Sequence, residues 1–199
     1  KKVQRTKERP IASGKISVLN SLFIAIFLCL FAFIVLLQFN LLTIILGMCS
    51  IIFAFAYPFM KRITYWPQLF LGLTFNWGII MGWTSIANVI SIEPIVLYIS
   101  AIFWTLGYDT IYGLQDMRDD EIIGIKSLSI KFKKNVKFFV GTCYSLCIFF
   151  ILMLPFIMET NKYFLIIASF FIISLIYQIK FFRTNNPKSC LHAFKNNNL

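Results

Sequence analysis

The residues of this sequence best suited to chemistry form an acidic stretch at the end of an apolar segment. Five of the eight acidic residues lie between Asp109 and Glu121. The chain has a net charge of +11 and is 59% hydrophobic, so carboxylates massed where an apolar segment meets water need a compensating charge. Two carboxylates about 4 Å apart repel each other by about 4 kcal/mol at an effective dielectric of about 20. The obvious partner is a divalent cation.

The spacing of the aspartates places several of them on one side of a helix. At about 100° per residue, Asp116 lies roughly 20° from the direction of Asp109, and Asp120 lies roughly 20° to the other side. Asp119 is offset by about 80° and reaches the same site if the helix frays near its end. Such a group suits Mg²⁺, which often takes one or two carboxylates and completes its shell with water and substrate phosphates.

Spacing alone leaves three roles besides metal binding open to the acidic stretch. The carboxylates could cap a following helix and balance nearby lysines, form an ion relay of a transporter, or belong to a solvated loop. A solvated loop is the commonest fate of a charge run. Asp109, however, lies within an apolar helical segment, between Gly107 and Tyr112, and this position counts against the loop.

The composition is that of an integral membrane protein. The mean hydropathy is +0.79, and a chain with 23 Phe and only 14% charged residues has too little polar surface to cover a soluble core of this size. Six apolar segments approach or exceed the roughly 20 helical residues that a bilayer requires. We predict an all-α, polytopic transmembrane helical bundle forming a single membrane domain (1–199). The spans are predicted at about 21–37, 41–59, 67–89, 94–114, 138–157 and 163–182.

The basic residues predict the orientation of this bundle. Of the 19 Lys and Arg, all except Lys162 lie in or beside alternate connections, and such residues concentrate in short cytoplasmic loops. Both termini and all four large polar segments are therefore predicted to be cytoplasmic. A bias toward Ile, Phe, Lys and Asn is compatible with a bacterial cytoplasmic (inner) membrane or with the inner membrane of an organelle, and we predict the bacterial one. The four segments are 1–20, 60–66, 115–137 and 183–199.

Further polar residues bear on the site and on the packing of the helices. Arg5 and Arg9 are four residues apart and project together on a helix, and Lys126 follows Asp120 by six residues. Arginine forks bind phosphate oxygens well, so acidic and basic clusters on one membrane face describe a site for a metal-bridged diphosphate with its lipid tail in the bilayer. Asn76, inside the third span, is predicted to hydrogen-bond between helices.

Four stretches of the chain resemble one known family. The stretch YDTIYGLQDMRDDEIIGIKS, from Tyr108 to Ser127, resembles the second aspartate-rich motif of the intramembrane UbiA prenyltransferases, and its IGIKS continuation resembles the 4-hydroxybenzoate polyprenyltransferase branch in particular. The resemblance runs from end to end, and the long aspartate-rich motif makes it specific. The other matching stretches are VQRTKERPIASG at 3–14, YPFMKR at 57–62 and CLHAFKNNN at 190–198.

This resemblance implies a fold and an activity. The fold is a bundle of nine transmembrane helices, of which this chain would supply the third to the eighth. The activity is Mg²⁺-dependent transfer of a polyprenyl group from polyprenyl diphosphate to the ring of 4-hydroxybenzoate, for ubiquinone biosynthesis, at the lipid bilayer and with no nucleic-acid partner. In that chemistry Mg²⁺ and basic residues stabilise the leaving diphosphate, and an allylic cation-like centre is attacked by the ring carbon ortho to the acceptor hydroxyl. Dry walls keep water away from that centre.

The resemblance also implies a role for each site residue. Asp116 and Asp120 would bind Mg²⁺, while Asp109 and Asp119 would support the site. The basic residues would contact the diphosphate or the acceptor carboxylate, or lie near that pocket. They are Arg5, Arg9, Lys61, Arg62 and Lys126.

One part of the family pattern does not occur in this sequence. A first aspartate-rich motif, NDxxDxxxD, is expected immediately before Lys1, so half of the implied metal site falls outside these 199 residues. We therefore expect this stretch alone not to catalyse prenyl transfer, whereas the complete protein would. The alternatives are a family member acting on another acceptor, such as homogentisate or haem, a cation-coupled transporter, or a non-catalytic remnant.

Overall fold

The structure, a computed structural model, describes residues 9–195 and 197. This part of the chain is helical and contains no strand, and six of its helical segments are long and apolar enough to cross a membrane. The predicted all-α transmembrane bundle with six spans is confirmed. In chain order the helices are α1 (Val18–Leu36), α2 (Leu41–Ile63), α3 (Pro67–Phe75), α4 (Trp77–Ala87), α5 (Ile92–Gly113), α6 (Met117–Ile123), α7 (Leu128–Lys131), α8 (Val136–Ile157), α9 (Tyr163–Phe181) and α10 (Pro187–Lys195).

The ends of the spans are set by capping residues and charges. α1 begins earlier than its apolar run because the Ser17 hydroxyl accepts a hydrogen bond from the Asn20 N–H at 3.1 Å, which satisfies one free donor of the first turn. α2 extends beyond its apolar run through Lys61 and Arg62. Their positive charges are favourable there, because the C-terminus is the negative end of the helix dipole.

The third span is interrupted at Asn76, which separates α3 from α4 and ties both to α5. The side-chain amide of Asn76 donates to the carbonyl oxygens of Gly72 at 2.8 Å and Ala101 at 3.2 Å, and to the hydroxyl oxygen of Thr105 at 2.8 Å. Ala101 and Thr105 belong to α5, so two of these bonds join different spans. The predicted interhelical role of Asn76 is confirmed.

Replacing Asn76 by Ala is expected to lower the free energy of unfolding by about 1 kcal/mol, the usual value of interhelical hydrogen bonds in membranes. The matched control is Thr74→Ala on the same helix, because the Thr74 hydroxyl donates only to the Phe70 carbonyl oxygen of its own helix, at 2.7 Å. That control should change the free energy by less than about 0.5 kcal/mol. Unfolding in mixed detergent micelles measures both, and equal losses in the two variants would contradict the interhelical role.

α5 and α8 form the centre of the bundle. They approach closely at Gly107, where an added Cβ would lie 2.6 Å from Cδ1 of Tyr144. The Ser100 hydroxyl of α5 donates to the Cys147 carbonyl oxygen of α8 at 2.8 Å. α5 is the most enclosed span, whereas α1 has no buried residue. The outer helices therefore present apolar surface suited to lipid, and α5 is held from several sides.

Three short helices, α6, α7 and α10, lie outside the spans at one end of the bundle, here called the basic end. Two hydrogen bonds attach α7 to the spans. The Ser129 hydroxyl donates to the Thr110 carbonyl oxygen at 2.8 Å, and the Leu128 N–H donates to the Gln68 side-chain oxygen at 3.1 Å. The connections expected to be loops thus contain ordered helical turns, with α7 packed on α3 and α5, and α10 packed on α5 and α9. They are the segments 115–137 and 183–199.

Candidate active site

Asp109 lies one turn before the end of α5 and is largely enclosed. Its carboxylate is within electrostatic range of the Lys61 ammonium and of the Tyr57 hydroxyl. Tyr57 and Lys61 are four residues apart on α2, so both point to the same side of that helix. Tyr57 also lies close to Tyr108 and Tyr112. The structure thereby brings together two predicted site residues, Asp109 and Lys61.

The chain does not continue as one helix from Asp109 to Asp120. α5 ends at Gly113, and a tight turn, in which the Asp116 N–H donates to the Gly113 carbonyl oxygen at 3.3 Å, leads into α6. The expectation that one uninterrupted helix aligns these aspartates is therefore wrong. Within the turn and α6, the Asp120 N–H donates to the Asp116 carbonyl oxygen at 2.8 Å. Asp116 and Asp120 thus remain one helical turn apart on the same side.

The interruption has a physical cause at Gly113. An added Cβ at this position would lie 2.5 Å from the Ser129 hydroxyl oxygen and 3.6 Å from the Gln68 side-chain nitrogen. The missing side chain therefore makes room for α7 and α3 against the end of α5. Glycine is also among the poorest helix formers, so the helix ends here at little cost.

The carboxylates on α6 fit a magnesium ion better than a closed structural metal site. Asp120 is only 9% exposed, and Asp116 and Asp119 are partly buried. Across 9–195 and 197, no three His, Cys, Asp or Glu side chains form a group that could hold a metal. A structural zinc site requires four such ligands, whereas Mg²⁺ is commonly held by one or two carboxylates together with water and substrate phosphates. The pair Asp116 and Asp120 matches the second pattern.

The loop after α6 binds to the end of α2. The Lys126 N–H donates to the Lys61 carbonyl oxygen at 2.9 Å, and the Lys126 ammonium donates to the Ile63 carbonyl oxygen at 3.1 Å. The same ammonium lies 5.6 Å from the centre of the Tyr65 ring. An ammonium group has three donors, so Lys126 retains the capacity to bind an anion. The backbones of Lys126 and Lys61 therefore meet at the end of α2.

Of the three predicted arginines, the structure describes two, Arg9 and Arg62. Arg9 is exposed in the turn before α1, and its guanidinium makes no hydrogen bond or ion pair with another described residue. Arg62 is exposed at the end of α2. Arg5 lies outside the residues that the structure describes. The roles of these three arginines stay predictions.

Tyr57 is the residue of this site that sequence reasoning missed. The stretch YPFMKR matches the family, but only its two basic residues are predicted from the sequence to lie near the site. Tyr57 precedes Lys61 by one helical turn, and that spacing was the available signal.

Comparison with known proteins identifies the family. The UbiA prenyltransferase family pattern matches residues 1–199, the whole chain. This chain belongs to the UbiA prenyltransferase family. The family resemblance expected from the aspartate-rich stretch is thus confirmed. UbiA prenyltransferases are generally metal-dependent, in agreement with carboxylates at the basic end.

The relatives of this UbiA family chain include animal and plant proteins. The chain is 50% identical over 140 residues to a mitochondrial 4-hydroxybenzoate polyprenyltransferase of Homo sapiens, covering 69% of the chain and 37% of the relative. The corresponding protein of Rattus norvegicus is 49% identical over 141 residues, with the same coverage. A 4-hydroxybenzoate geranyltransferase 2 of Lithospermum erythrorhizon is 40% identical over 200 residues, covering 99% of the chain and 65% of the relative.

The fold is also that of a solved UbiA-type structure. A structure concerning digeranylgeranylglyceryl phosphate synthase in membranes matches with a TM-score of 0.63 at 19% identity. The match covers 96% of this chain and 69% of that one, and at this identity it bears on the fold alone. The chain spans less than two thirds of the length of the curated relatives described above.

Proposed function

We propose that the protein containing this chain transfers a polyprenyl group from polyprenyl diphosphate to the ring of 4-hydroxybenzoate. The observation that carries the proposal is the family match over all 199 residues, joined by relatives at 40 to 50% identity that are named 4-hydroxybenzoate polyprenyl- or geranyltransferases. The arrangement at the basic end supports it, because Asp109 faces Lys61 where the acidic helix α6 begins.

The proposed reaction gives the residues of the basic end distinct tasks. Lys61 and Lys126, whose backbones meet at the end of α2, bind the diphosphate and hold it at the membrane surface. The Tyr57 hydroxyl, one helical turn before Lys61 on α2, would donate a hydrogen bond to the same anion. Asp116 and Asp120 would hold Mg²⁺, which when bound supplies charge neutralisation for the leaving group. Asp109 and Asp119 support that pair.

The apolar bundle provides the second requirement of the reaction, a dry place for the donor chain. The spans are long and apolar, and hydrocarbon surroundings exclude water that would otherwise quench an allylic cation-like centre. A transporter would use polar residues within the spans, but Asn76 of the third span uses its amide in three hydrogen bonds. This pairing weakens the transporter alternative.

The proposed location is a mitochondrial membrane, crossed several times. The bacterial location predicted from composition has no support among the relatives, which include mitochondrial proteins of animals. By the positive-inside rule, the basic end would face the matrix. Protease protection in isolated mitochondria, with and without opening of the inner membrane, tests this orientation.

Prenyl transfer by the full-length protein in lipid nanodiscs tests the function. We expect prenylated 4-hydroxybenzoate to form in the presence of Mg²⁺ and a polyprenyl diphosphate, with at least a 10-fold preference over homogentisate. The isolated 199-residue chain serves as a comparison and should form no product, because it spans only 37% and 65% of the length of two of its relatives. Failure of the full-length protein to prenylate either acceptor would exclude the proposal. A preference for homogentisate would indicate that the protein belongs to another branch of the family.

A further inference from the structure

The C-terminal helix α10 is not one of the six spans, yet it is built into the core at the basic end. Cys190 and Ala193 are buried in the same apolar cluster as Ile111 and Leu114 at the end of α5. α10 therefore packs on the helix that carries Asp109, although more than seventy residues separate them in sequence.

Aromatic contacts hold α10 to a single stripe of α5. The ring of Phe194 lies 4.4 Å from that of Tyr112 and 5.8 Å from that of Tyr108, measured between ring centres. Tyr108 in turn contacts Trp104 edge to face at 5.0 Å. Trp104, Tyr108 and Tyr112 are spaced by four residues, so they form one continuous stripe along the last turns of α5. Phe194 is thus the contact between α10 and that stripe.

Asn197 adds a polar attachment beside the aromatic one. Its side-chain oxygen accepts hydrogen bonds from Gln178 at 2.9 Å and from the Trp104 indole at 3.3 Å. Its side-chain nitrogen donates to the Phe194 carbonyl oxygen at 3.0 Å. Gln178, which is 1% exposed, accepts from the Tyr144 hydroxyl at 2.8 Å. The attachment therefore joins the C-terminal segment to α5, α8 and α9.

The aromatic stripe that α10 contacts lies next to the candidate site. Asp109 immediately follows Tyr108, so the two side chains leave α5 about 100° apart, and the Asp109 carboxylate lies close enough to Lys61 of α2 to be affected by its charge. The contacts with α10 thus involve the same turns of α5 as Asp109. α6 begins four residues after the end of α5, so a rotation of these turns would also move Asp116.

We propose that Phe194 and Asn197 are positioning residues, which fix the rotation of the last turns of α5 and so hold Asp109 and the α6 aspartates in register with Lys61. This inference rests on the proposed function only in taking that site as the active one. A displacement of about 1 Å at a reactive site can cost about 100-fold in rate, so loss of the contacts of Phe194 and Asn197 is expected to affect catalysis.

The test compares Phe194→Ala and Asn197→Ala in the full-length protein with two controls. Phe181→Ala removes a ring of the same kind from α9, where it contacts Tyr177 at 4.3 Å between ring centres. His192→Ala changes an exposed residue of α10 itself. Three quantities are measured: kcat with saturating substrates, binding of Mn²⁺ to the substrate-free protein by electron paramagnetic resonance, and the melting temperature.

We expect both test variants to lose about 10-fold or more in kcat and in Mn²⁺ affinity, as removal of the groups that orient metal ligands usually does. Both controls should retain wild-type values. Phe194→Tyr, which keeps the ring, should restore kcat and Mn²⁺ binding. Where Phe194→Ala does not fold, Phe194→Leu fills the same space without a ring and is expected to show the same losses.

Wild-type kcat and Mn²⁺ affinity in folded Phe194→Ala and Asn197→Ala would overturn the inference. So would losses that disappear at lower temperature, because they would reflect stability alone. The binding measurement separates this inference from the proposed function. If the wild-type protein formed no prenylated product but bound Mn²⁺ more tightly than the two variants, the positioning role of Phe194 and Asn197 would stand and the proposed reaction would be excluded.

Discussion

Replacing Asp120 by Asn in the full-length protein is expected to reduce the rate of prenyl transfer about 100-fold or more. The substitution keeps the size of the side chain and removes its charge, so the packing of α6 is retained. Asp120 is the most enclosed carboxylate of that helix, and Asp116 lies one turn before it. Asp116→Asn should cause a loss of similar size, because Mg²⁺ prefers anionic oxygen ligands and the pair supplies two of them.

The matched control for these variants is Glu121→Gln on the same helix. The Glu121 carboxylate forms an exposed ion pair with Lys133, at 2.7 and 2.9 Å. Exposed pairs contribute about 0 to 1 kcal/mol, so this variant should keep both its fold and its rate. Initial rates are measured over a range of Mg²⁺ concentrations, together with Mn²⁺ binding. Wild-type rates in both Asp variants would remove Asp116 and Asp120 from the metal site.

The spans could be predicted from the sequence because the property that defines them is local. A run of apolar residues of sufficient length becomes a helix in a bilayer, where each backbone polar group must be paired within the segment. The role of Asn76 was predictable for a related reason, since an amide in an apolar span needs a partner nearby. The partners themselves, Ala101 and Thr105, follow from the packing of α3 and α4 on α5.

The parts of the site that the sequence did not reveal depend on contacts between distant residues. The helix carrying Asp109 ends at Gly113, where Ser129, sixteen residues later, packs against the backbone and leaves no room for a side chain. The helical periodicity of the sequence does not reveal such a contact, so the expectation that one helix continues from Asp109 to Asp120 was wrong. The attachment of Phe194 to Tyr112 was equally hidden, because a short polar C-terminal segment has no hydropathy signal that indicates where it packs.

Gly107→Ala is the substitution expected to damage the fold most. A Cβ at this position would lie 2.6 Å from Cδ1 and 3.0 Å from Cζ of Tyr144, and it would also overlap Cε1. The ring cannot move aside easily, because Tyr144 is 1% exposed and its hydroxyl donates to the buried Gln178 oxygen at 2.8 Å. Overpacking of a core costs about 1 to 3 kcal/mol, and Ala is otherwise favoured over Gly in a helix by about 1 kcal/mol. The gain in helix propensity offsets part of the overpacking strain, so the net loss in free energy of unfolding is smaller than the strain energy itself.

Gly141→Ala on α8 is the control that separates strain from helix propensity. No heavy atom of another described residue outside its own helix lies within 4 Å of an added Cβ at Gly141, so only the propensity gain of up to about 1 kcal/mol applies. The free energy of unfolding in mixed micelles is expected to fall for Gly107→Ala and to rise slightly for Gly141→Ala. Two similar values would contradict close packing of α5 on α8.

A double variant connects this packing to the site. Combining Gly107→Ala with Tyr144→Leu removes the ring that obstructs the new methyl group, so the two changes should be less than additive, with a coupling of about 0.5 to 3 kcal/mol. Gly107 lies two residues before Asp109, and a shift of α5 away from α8 would carry that carboxylate with it. Folded Gly107→Ala should therefore lose prenyl transfer more than stability alone requires, and the double variant should recover part of the rate. If the double variant recovered stability but none of the rate, the packing of α5 on α8 would not be what aligns Asp109 with Lys61.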